Sequence, residues 1–147
     1  MTSAAGIVER AIFIEAPPEI VFGFLIEPKL MAQWIGVCHR LDPRPGGIFQ
    51  VEVSQGNTAR GVYTEVTPFR RVAFTWGWDS QDPKLAMLRS GLSLVEFELE
   101  PKGAGTVLRL RHSRLPDELA TIHGERWSIY LAELQTVVRH HDRGAAL

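Results

Sequence analysis

The segment His123-Gly124-Glu125-Arg126-Trp127 gathers several side chains that could do chemistry. A histidine two residues before a glutamate is the spacing with which zinc deaminases hold their metal ion and move a proton. Those enzymes also need Pro-Cys-x-x-Cys downstream, whereas the single cysteine of this chain, Cys38, lies far upstream. His39 and His112 show no metal-ligand spacing either, so we expect no metal ion and no cofactor. A mixed site of Cys38, His112 and His123 remains an open alternative, because ligands can come from distant segments.

Other catalytic motifs are missing from the sequence. It contains no G-x-S-x-G, no P-loop and no G-x-G-x-x-G, and the RPGG at 44–47 predicts a turn. Nothing ties a serine and a histidine into a triad. His112 and His123 remain candidate general acids or bases, because a histidine in a cavity can carry a proton near neutral pH.

Composition restricts the class of protein. A chain of 147 residues with 45% hydrophobic and 22% charged residues predicts one domain, 1–147, with a sizeable core. Its net charge of −1 argues against a nucleic-acid partner, and one cysteine fits a reducing compartment. We find no signal peptide and no apolar run that could span a bilayer, so we expect a cytoplasmic protein without a membrane partner. The ends, 1–6 and 142–147, are expected to be flexible.

Periodicity and turn residues predict the order strand, two short helices, five strands and a long helix, which is an α+β chain. The segment 37–47 is expected to be rich in turns. The segment 79–90 is expected to be either a loop or one helical turn. Successive strands should pair antiparallel, and the long helix should cover one face of a six-stranded sheet. The strands are expected at 7–15, 48–54, 59–67, 70–78, 91–101 and 106–113, and the helices at 17–27, 28–36 and 116–139.

Alternation separates the two faces of the sheet. In 91–101 and 106–113 apolar residues alternate with glutamates and arginines, which predicts a solvated ladder of opposite charges on the outer face. Trp76 and Trp78 share the inner face of their strand, either as core or as the wall of a pocket. In the third strand the parity stays open between Tyr63 with Glu65 and Val62 with Thr64.

The long helix has one apolar face. At about 100° per residue, Leu119, His123 and Tyr130 fall near one direction, with Trp127 beside them. Glu125 points away, which weakens a concerted His–Glu pair. A histidine on such a face is either a satisfied core residue or a polar group that orients a ligand.

Several motifs together resemble a known family. APPEIVF, the helix ending in AQWIG, DPRPGGIFQVEV, RGVYTEVTPFRRVAFTW and the HGERW helix stand in the order found in homologues of the heat-shock-protein ATPase activator. These belong to the START-like, birch-pollen-allergen-like superfamily (SRPBCC), and the resemblance covers nearly all of 7–140. It implies a helix-grip fold, in which a curved antiparallel sheet wraps around a long C-terminal helix. The activator's separate N-terminal domain is not expected here.

The resemblance also implies a cavity between the sheet and the long helix. Trp34 and the 79–90 loop would lie near its mouth. The ligand-binding walls would comprise, together with Trp34, the following residues: Phe49, Val51, Tyr63, Phe74, Trp76, Val95, Phe97, Leu108, Leu110, His112, His123, Trp127, Tyr130 and Leu134.

Three functions follow from this resemblance. The first is binding of a small hydrophobic or aromatic ligand, which large aromatics and a few inward polar groups favour. The second is a co-chaperone or stress-related protein that contacts a chaperone through an exposed apolar patch. The third is a cyclase-like enzyme that uses a cavity histidine. We expect a binding protein rather than an enzyme, and either a monomer or a homodimer.

Overall fold

The chain forms seven strands and four helices over residues 6–145, the part that the computed structural model describes. The elements are β1 Val8–Ile14, α1 Pro18–Ile26, α2 Pro28–Met31, β2 Val37–Leu41, β3 Ile48–Ser54, β4 Asn57–Thr67, β5 Arg71–Ser80, α3 Pro83–Ala86, β6 Ser93–Lys102, β7 Gly105–Ser113 and α4 Asp117–Ala145. Of the ends predicted to be flexible, 1–5 and 146–147 lie outside the described residues. Gly6 accepts a hydrogen bond from the Leu115 amide at 3.0 Å, and the backbone of 142–145 continues α4.

All seven strands belong to one antiparallel sheet in the order β1-β7-β6-β5-β4-β3-β2. Strands that follow one another along the chain pair from β2 to β7. Turns join most of them, the longer segment that contains α3 joins β5 to β6, and β1 pairs with β7. The sheet is curved, and the long helix α4 lies against its inner face. The predicted α+β helix-grip fold is thus confirmed.

The strand count is corrected from six to seven, because β2 was predicted to be part of a turn. This strand pairs only with β3, and a bulge interrupts its register between Cys38 and Arg40. As an edge strand it buries little, so His39 and Arg40 stay exposed and no hydrophobic alternation marks it. Pro43, Pro45 and the following glycines form the turn that was expected, but the turn begins after Leu41.

Helix α4 buries one stripe against the sheet. Leu119, Trp127, Leu131, Leu134 and Val138 are each at most 2% exposed. The stripe covers the inward residues of β6 and β7, of which Val95, Phe97 and Leu108 are fully buried. Within the described part of the chain, no helix is both long and apolar enough to cross a membrane.

The segment after β5 folds back over the end of that strand. It contains one helical turn, α3, which Asp82 caps by accepting from the Lys84 amide at 2.9 Å. The Trp78 amide then donates to the Leu88 carbonyl at 2.7 Å, and Leu88 is buried. Gly77 permits this approach, because a Cβ there would overlap the carbonyl of Arg89. The segment therefore holds α3 in a defined place above the sheet.

A β-bulge settles the parity of β4. The register with β5 shifts between Tyr63 and Glu65, so both Tyr63 and Val66 lie on the inner side while Glu65 faces out. On the outer face Glu65 pairs with Arg71 at 2.9 Å, and Arg71 also pairs with Glu96 at 2.8 Å and Glu98 at 3.0 Å. Of the predicted ladder between β6 and β7, the pair of Arg109 with Glu100 is present, whereas Glu96 and Glu98 pair with Arg71 of β5.

A candidate ligand-binding cleft

A cleft of about 280 Å³ opens between α3, the β3–β4 hairpin, the end of β5 and the first half of α4. Its volume lies just below the usual range of small-molecule sites, roughly 300–1,000 Å³. A larger hollow of about 510 Å³ lies on the outer face of the sheet, but paired charges such as Arg71 and Glu96 line it. The inner cleft is therefore the better candidate. Its lining residues are Val53, Ser54, Asn57, Trp76, Trp78, Asp82, Lys84, Leu85, Ile122, His123, Arg126, Trp127 and Tyr130.

Aromatic rings form the floor and one wall of the cleft. The ring centroid of Trp76 lies 5.3 Å from that of Trp78, edge to face, and 5.5 Å from that of Trp127. Tyr130, one turn further along α4, meets Trp127 at 6.1 Å. Trp76 and Trp127 are 2% exposed, whereas Trp78 and Tyr130 are partly accessible. The cleft thus offers flat apolar surfaces of the kind that bind rings.

His123 is held as a neutral ring at the edge of the cleft. Its Nδ1–H donates to the Leu119 carbonyl at 2.8 Å, since a carbonyl can only accept. Its Nε2 is therefore unprotonated and accepts a hydrogen bond from the Trp78 indole N–H at 2.9 Å. Burial lowers the pKa of His123, opposed in part by the Leu119 carbonyl. Both nitrogens are therefore engaged, and neither is free to exchange a proton with a ligand.

His112, deeper in the core, is the complementary tautomer. Its Nδ1 accepts from the Trp127 indole N–H at 3.0 Å, so the proton lies on Nε2, which donates to the Ser93 hydroxyl at 2.8 Å. Ser93 in turn donates to the Trp76 carbonyl at 2.6 Å. Burial, and then the neighbouring His123, lower the pKa of His112 well below its ordinary value.

The two imidazoles meet edge to face, and the hydrogen-bond partners of their nitrogens include no carboxylate. Their centroids are 5.3 Å apart at 84°. Glu125 is exposed on the far side of α4, as the helical spacing predicts. Among the described residues no cluster of three His, Cys, Asp or Glu side chains could hold a metal ion, so Cys38 does not complete a three-ligand site with the pair. The nearest hydrogen-bond acceptor of the Cys38 thiol is instead the Gly36 carbonyl at 3.8 Å, and burial raises the pKa of that thiol to about 11.

Among the side chains that the structure describes, two buried polar atoms lack a hydrogen-bond partner, the Tyr63 hydroxyl and the Trp76 indole nitrogen. Such groups are uncommon in folded proteins, because an unpaired buried donor costs about 1–3 kcal/mol. Tyr63 is packed in the core against Phe49 and Phe74. Trp76 is a lining residue of the cleft, but its indole nitrogen is itself buried.

The structure brings only part of the predicted wall to the cleft. Trp76, His123, Trp127 and Tyr130 line it. The other predicted residues pack against one another in the core, as the Phe49–Phe74 stack at 4.0 Å shows. Trp34 is buried beside α1, with its indole N–H on the Phe24 carbonyl at 2.9 Å, and does not reach this mouth. The packed residues are Phe49, Val51, Tyr63, Phe74, Val95, Phe97, Leu108, Leu110, His112 and Leu134.

The predicted site lacked the residues of the rim. Lys84 and Leu85 belong to the 79–90 segment, which was expected near a mouth, but their side chains carry no motif. Trp78 was placed on the inner face without being assigned to the wall. Arg126 is next to Trp127 in the HGERW segment, and its role depends on the proximity of α3, which no local pattern encodes.

Comparison with known families agrees with this architecture. A family model described as Activator of Hsp90 ATPase homolog 1-like protein matches residues 15–139. The chain belongs to this family. A search of curated proteins finds no match to the sequence.

Solved structures include close structural relatives of this family member. An AHSA1-like protein from Rhizobium etli, solved by NMR, shares 37% identity over 90% of this chain and 81% of its own, with a TM-score of 0.69. A crystal structure of a Mesorhizobium loti protein gives 25% identity, a TM-score of 0.80 and coverage of 91% and 97%. The Aha1 dimer from Colwellia psychrerythraea shares the fold at 20% identity and a TM-score of 0.68, with coverage of 90% and 95%.

Proposed function

We propose that the protein binds a small, mostly apolar ligand with an aromatic ring in the cleft between α3 and α4. The observation that carries this proposal is a cleft lined by four aromatic rings, of which those of Trp78 and Tyr130 are partly accessible. Trp76, Trp78 and Trp127 would contact the ring, and Leu85 would cover it from α3. The deeper residues of the predicted wall would support these contacts from behind.

The four tryptophans offer a direct test. Addition of the neutral dye N-phenyl-1-naphthylamine should shift the indole N–H resonances of Trp76, Trp78 and Trp127 in a saturable way. The resonance of Trp34 should stay in place, because its N–H is fixed on the Phe24 carbonyl away from the cleft. No saturable shift with the dye or with a panel of neutral aromatic metabolites would refute ligand binding at this site.

A pair of variants on one segment sharpens the test. Leu85 lines the cleft, whereas Met87, two residues later, is 47% exposed and does not. Leu85→Gln should weaken dye binding about tenfold, since loss of one apolar contact of about 1.4 kcal/mol changes Kd by that factor. Met87→Gln should leave Kd unchanged. Equal effects of the two substitutions would mean that the dye binds elsewhere.

Contact with a chaperone is the second candidate, and family membership together with an apolar surface favours it. Met87 and Leu92, at 47% and 54% exposure, lie on the segment that follows β5. We propose that these two residues would form such a contact. Stimulation of a chaperone's ATPase activity that is abolished in the double variant Met87→Gln, Leu92→Gln would support this contact. Absence of both the stimulation and a complex would exclude it.

A cyclase-like activity is not favoured, because both ring nitrogens of each candidate histidine are hydrogen-bonded. The cytoplasmic location stays a prediction.

A further inference from the structure

The rim of the cleft carries two cations. Lys84 lies on α3 and Arg126 on α4, so they come from the two elements that bound the opening. Neither forms an ion pair with any side chain among residues 6–141. Burial raises the pKa of the Tyr130 hydroxyl, and the charge of Arg126, one turn before it on α4, partly opposes this effect.

The other charged groups of the lining do not cancel this pair. The lining's carboxylate, Asp82, already accepts the Lys84 amide at 2.9 Å as the cap of α3. His123 is neutral, since its Nε2 accepts from Trp78. Two cations and one carboxylate leave the lining with a net charge of +1. That charge lies at the edge of an apolar, aromatic surface.

We infer that the ligand is an aromatic or other apolar ring system that carries one anionic group, held at the rim by Lys84 and Arg126. This inference rests on the proposed function and adds the ligand's charge to it. The ring lies on Trp76, Trp78 and Trp127, and the anion projects toward the two cations. Carboxylate, sulfate and phosphate share this chemistry, because each presents oxygen acceptors to the donors of lysine and arginine. An amine at the same place would meet two like charges.

Two probes of equal ring size and different charge test the inference. Naphthalene-2-carboxylate carries the anion, and naphthalene-2-methanol is its neutral counterpart. The indole N–H resonances of Trp76, Trp78 and Trp127 report binding of either compound at low salt. We expect the acid to bind about five- to tenfold more tightly, because exposed ion pairs contribute about 0.2–1 kcal/mol each. The difference should shrink at high salt, which screens exposed charges.

Variants identify the cations responsible. Lys84→Gln and Arg126→Gln should each lower the affinity for the acid about two- to fivefold and leave the alcohol unchanged. Arg89→Gln removes a cation from the same segment as Lys84, but outside the lining, and should change neither affinity. Wild-type spectral dispersion of all three variants verifies that they are folded.

The outcomes separate the two proposals. If neither probe shifts the indole resonances, the proposed ligand site is wrong and the inference falls with it. If the alcohol binds as tightly as the acid, or if Lys84→Gln and Arg126→Gln weaken both probes equally, the anion assignment is overturned while the ligand site stands. Selective loss of acid binding in both variants, with Arg89→Gln unchanged, supports the inference.

Discussion

The two buried histidines predict that the protein loses stability in mildly acidic solution. His112 and His123 are hydrogen-bonded as neutral rings, and burial lowers both pKa values from 6.5, that of His112 well below it. In the unfolded chain both rings can take up a proton near the ordinary pKa. The unfolded state then binds more protons than the folded state, so the free energy of unfolding falls as pH drops through about 6.5.

The magnitude follows from proton linkage. For a histidine with an unfolded pKa of about 6.5 that stays unprotonated in the folded state, the loss between pH 7 and pH 5 is about 2 kcal/mol. His112 should contribute this amount, and His123 a smaller one, because the Leu119 carbonyl opposes the effect of burial. The pKa values of Glu52 and Glu65 are lowered from 4.5, mainly by hydrogen bonds, so their stabilisation is lost only in more acidic solution. The expected total of about 2–4 kcal/mol is a large part of the 5–15 kcal/mol typical of a domain.

Urea denaturation followed by tryptophan fluorescence at about pH 7, 6 and 5 measures this loss. His112→Gln should lower the stability at every pH, but its decrease between pH 7 and pH 5 should be about 2 kcal/mol smaller than in the wild type. His140→Gln is the matched control, because His140 is exposed on α4. This substitution removes one imidazole and leaves the buried pair intact. A wild-type protein equally stable at the two pH values would refute the assignment of two neutral, buried rings. So would a His112→Gln variant with the wild-type pH dependence.

Two substitutions test the contacts that hold the cleft. Trp127→Phe keeps an aromatic ring but removes the N–H donor to His112. Because a buried acceptor is left unpaired, the free energy of unfolding measured by urea denaturation should fall by about 1–3 kcal/mol. A decrease within experimental error would mean that this hydrogen bond does not stabilise the fold. Gly77→Ala should lower the free energy of unfolding by about 1–3 kcal/mol or more, since the new Cβ overlaps the Arg89 carbonyl and the 79–90 segment must shift. A variant that unfolds at the wild-type midpoint temperature would contradict the close approach of Gly77 to Arg89.

The elements with strong alternation were predictable. In β6 and β7 alternate positions are held by Val95, Phe97, Leu99, Leu108 and Leu110, all of which are buried. The glutamates and arginines between them lie on the outer face, where Arg109 pairs with Glu100. In α4 the helical spacing placed His123 inward and Glu125 outward. These assignments succeeded because burial on one face of a regular element imposes a period on the sequence.

Two features of the fold could not be predicted from the periodicity of the sequence. Strand β2 forms because β3 offers it a pairing partner, and its own residues show neither burial nor alternation. The bulge after Tyr63 reverses the parity of β4 within one strand, so an unbroken alternation cannot describe both Tyr63 and Glu65. Pairing partners and bulges depend on the neighbouring strand, which local periodicity does not contain.

The sequence by itself determined the family, the helix-grip architecture and the inward direction of Phe74, Trp76, Phe97 and Trp127. Only the tertiary structure decided which of those residues line a cleft and which fill the core. The bond from Trp78 to His123 joins residues 45 positions apart, and α3 brings Lys84 to the same opening as Arg126. These contacts depend on how the 79–90 segment packs over β5, and packing between distant segments leaves no spacing in the chain. The HGERW segment therefore contributes His123 to a satisfied polar pair, Trp127 to the floor of the cleft and Arg126 to its rim.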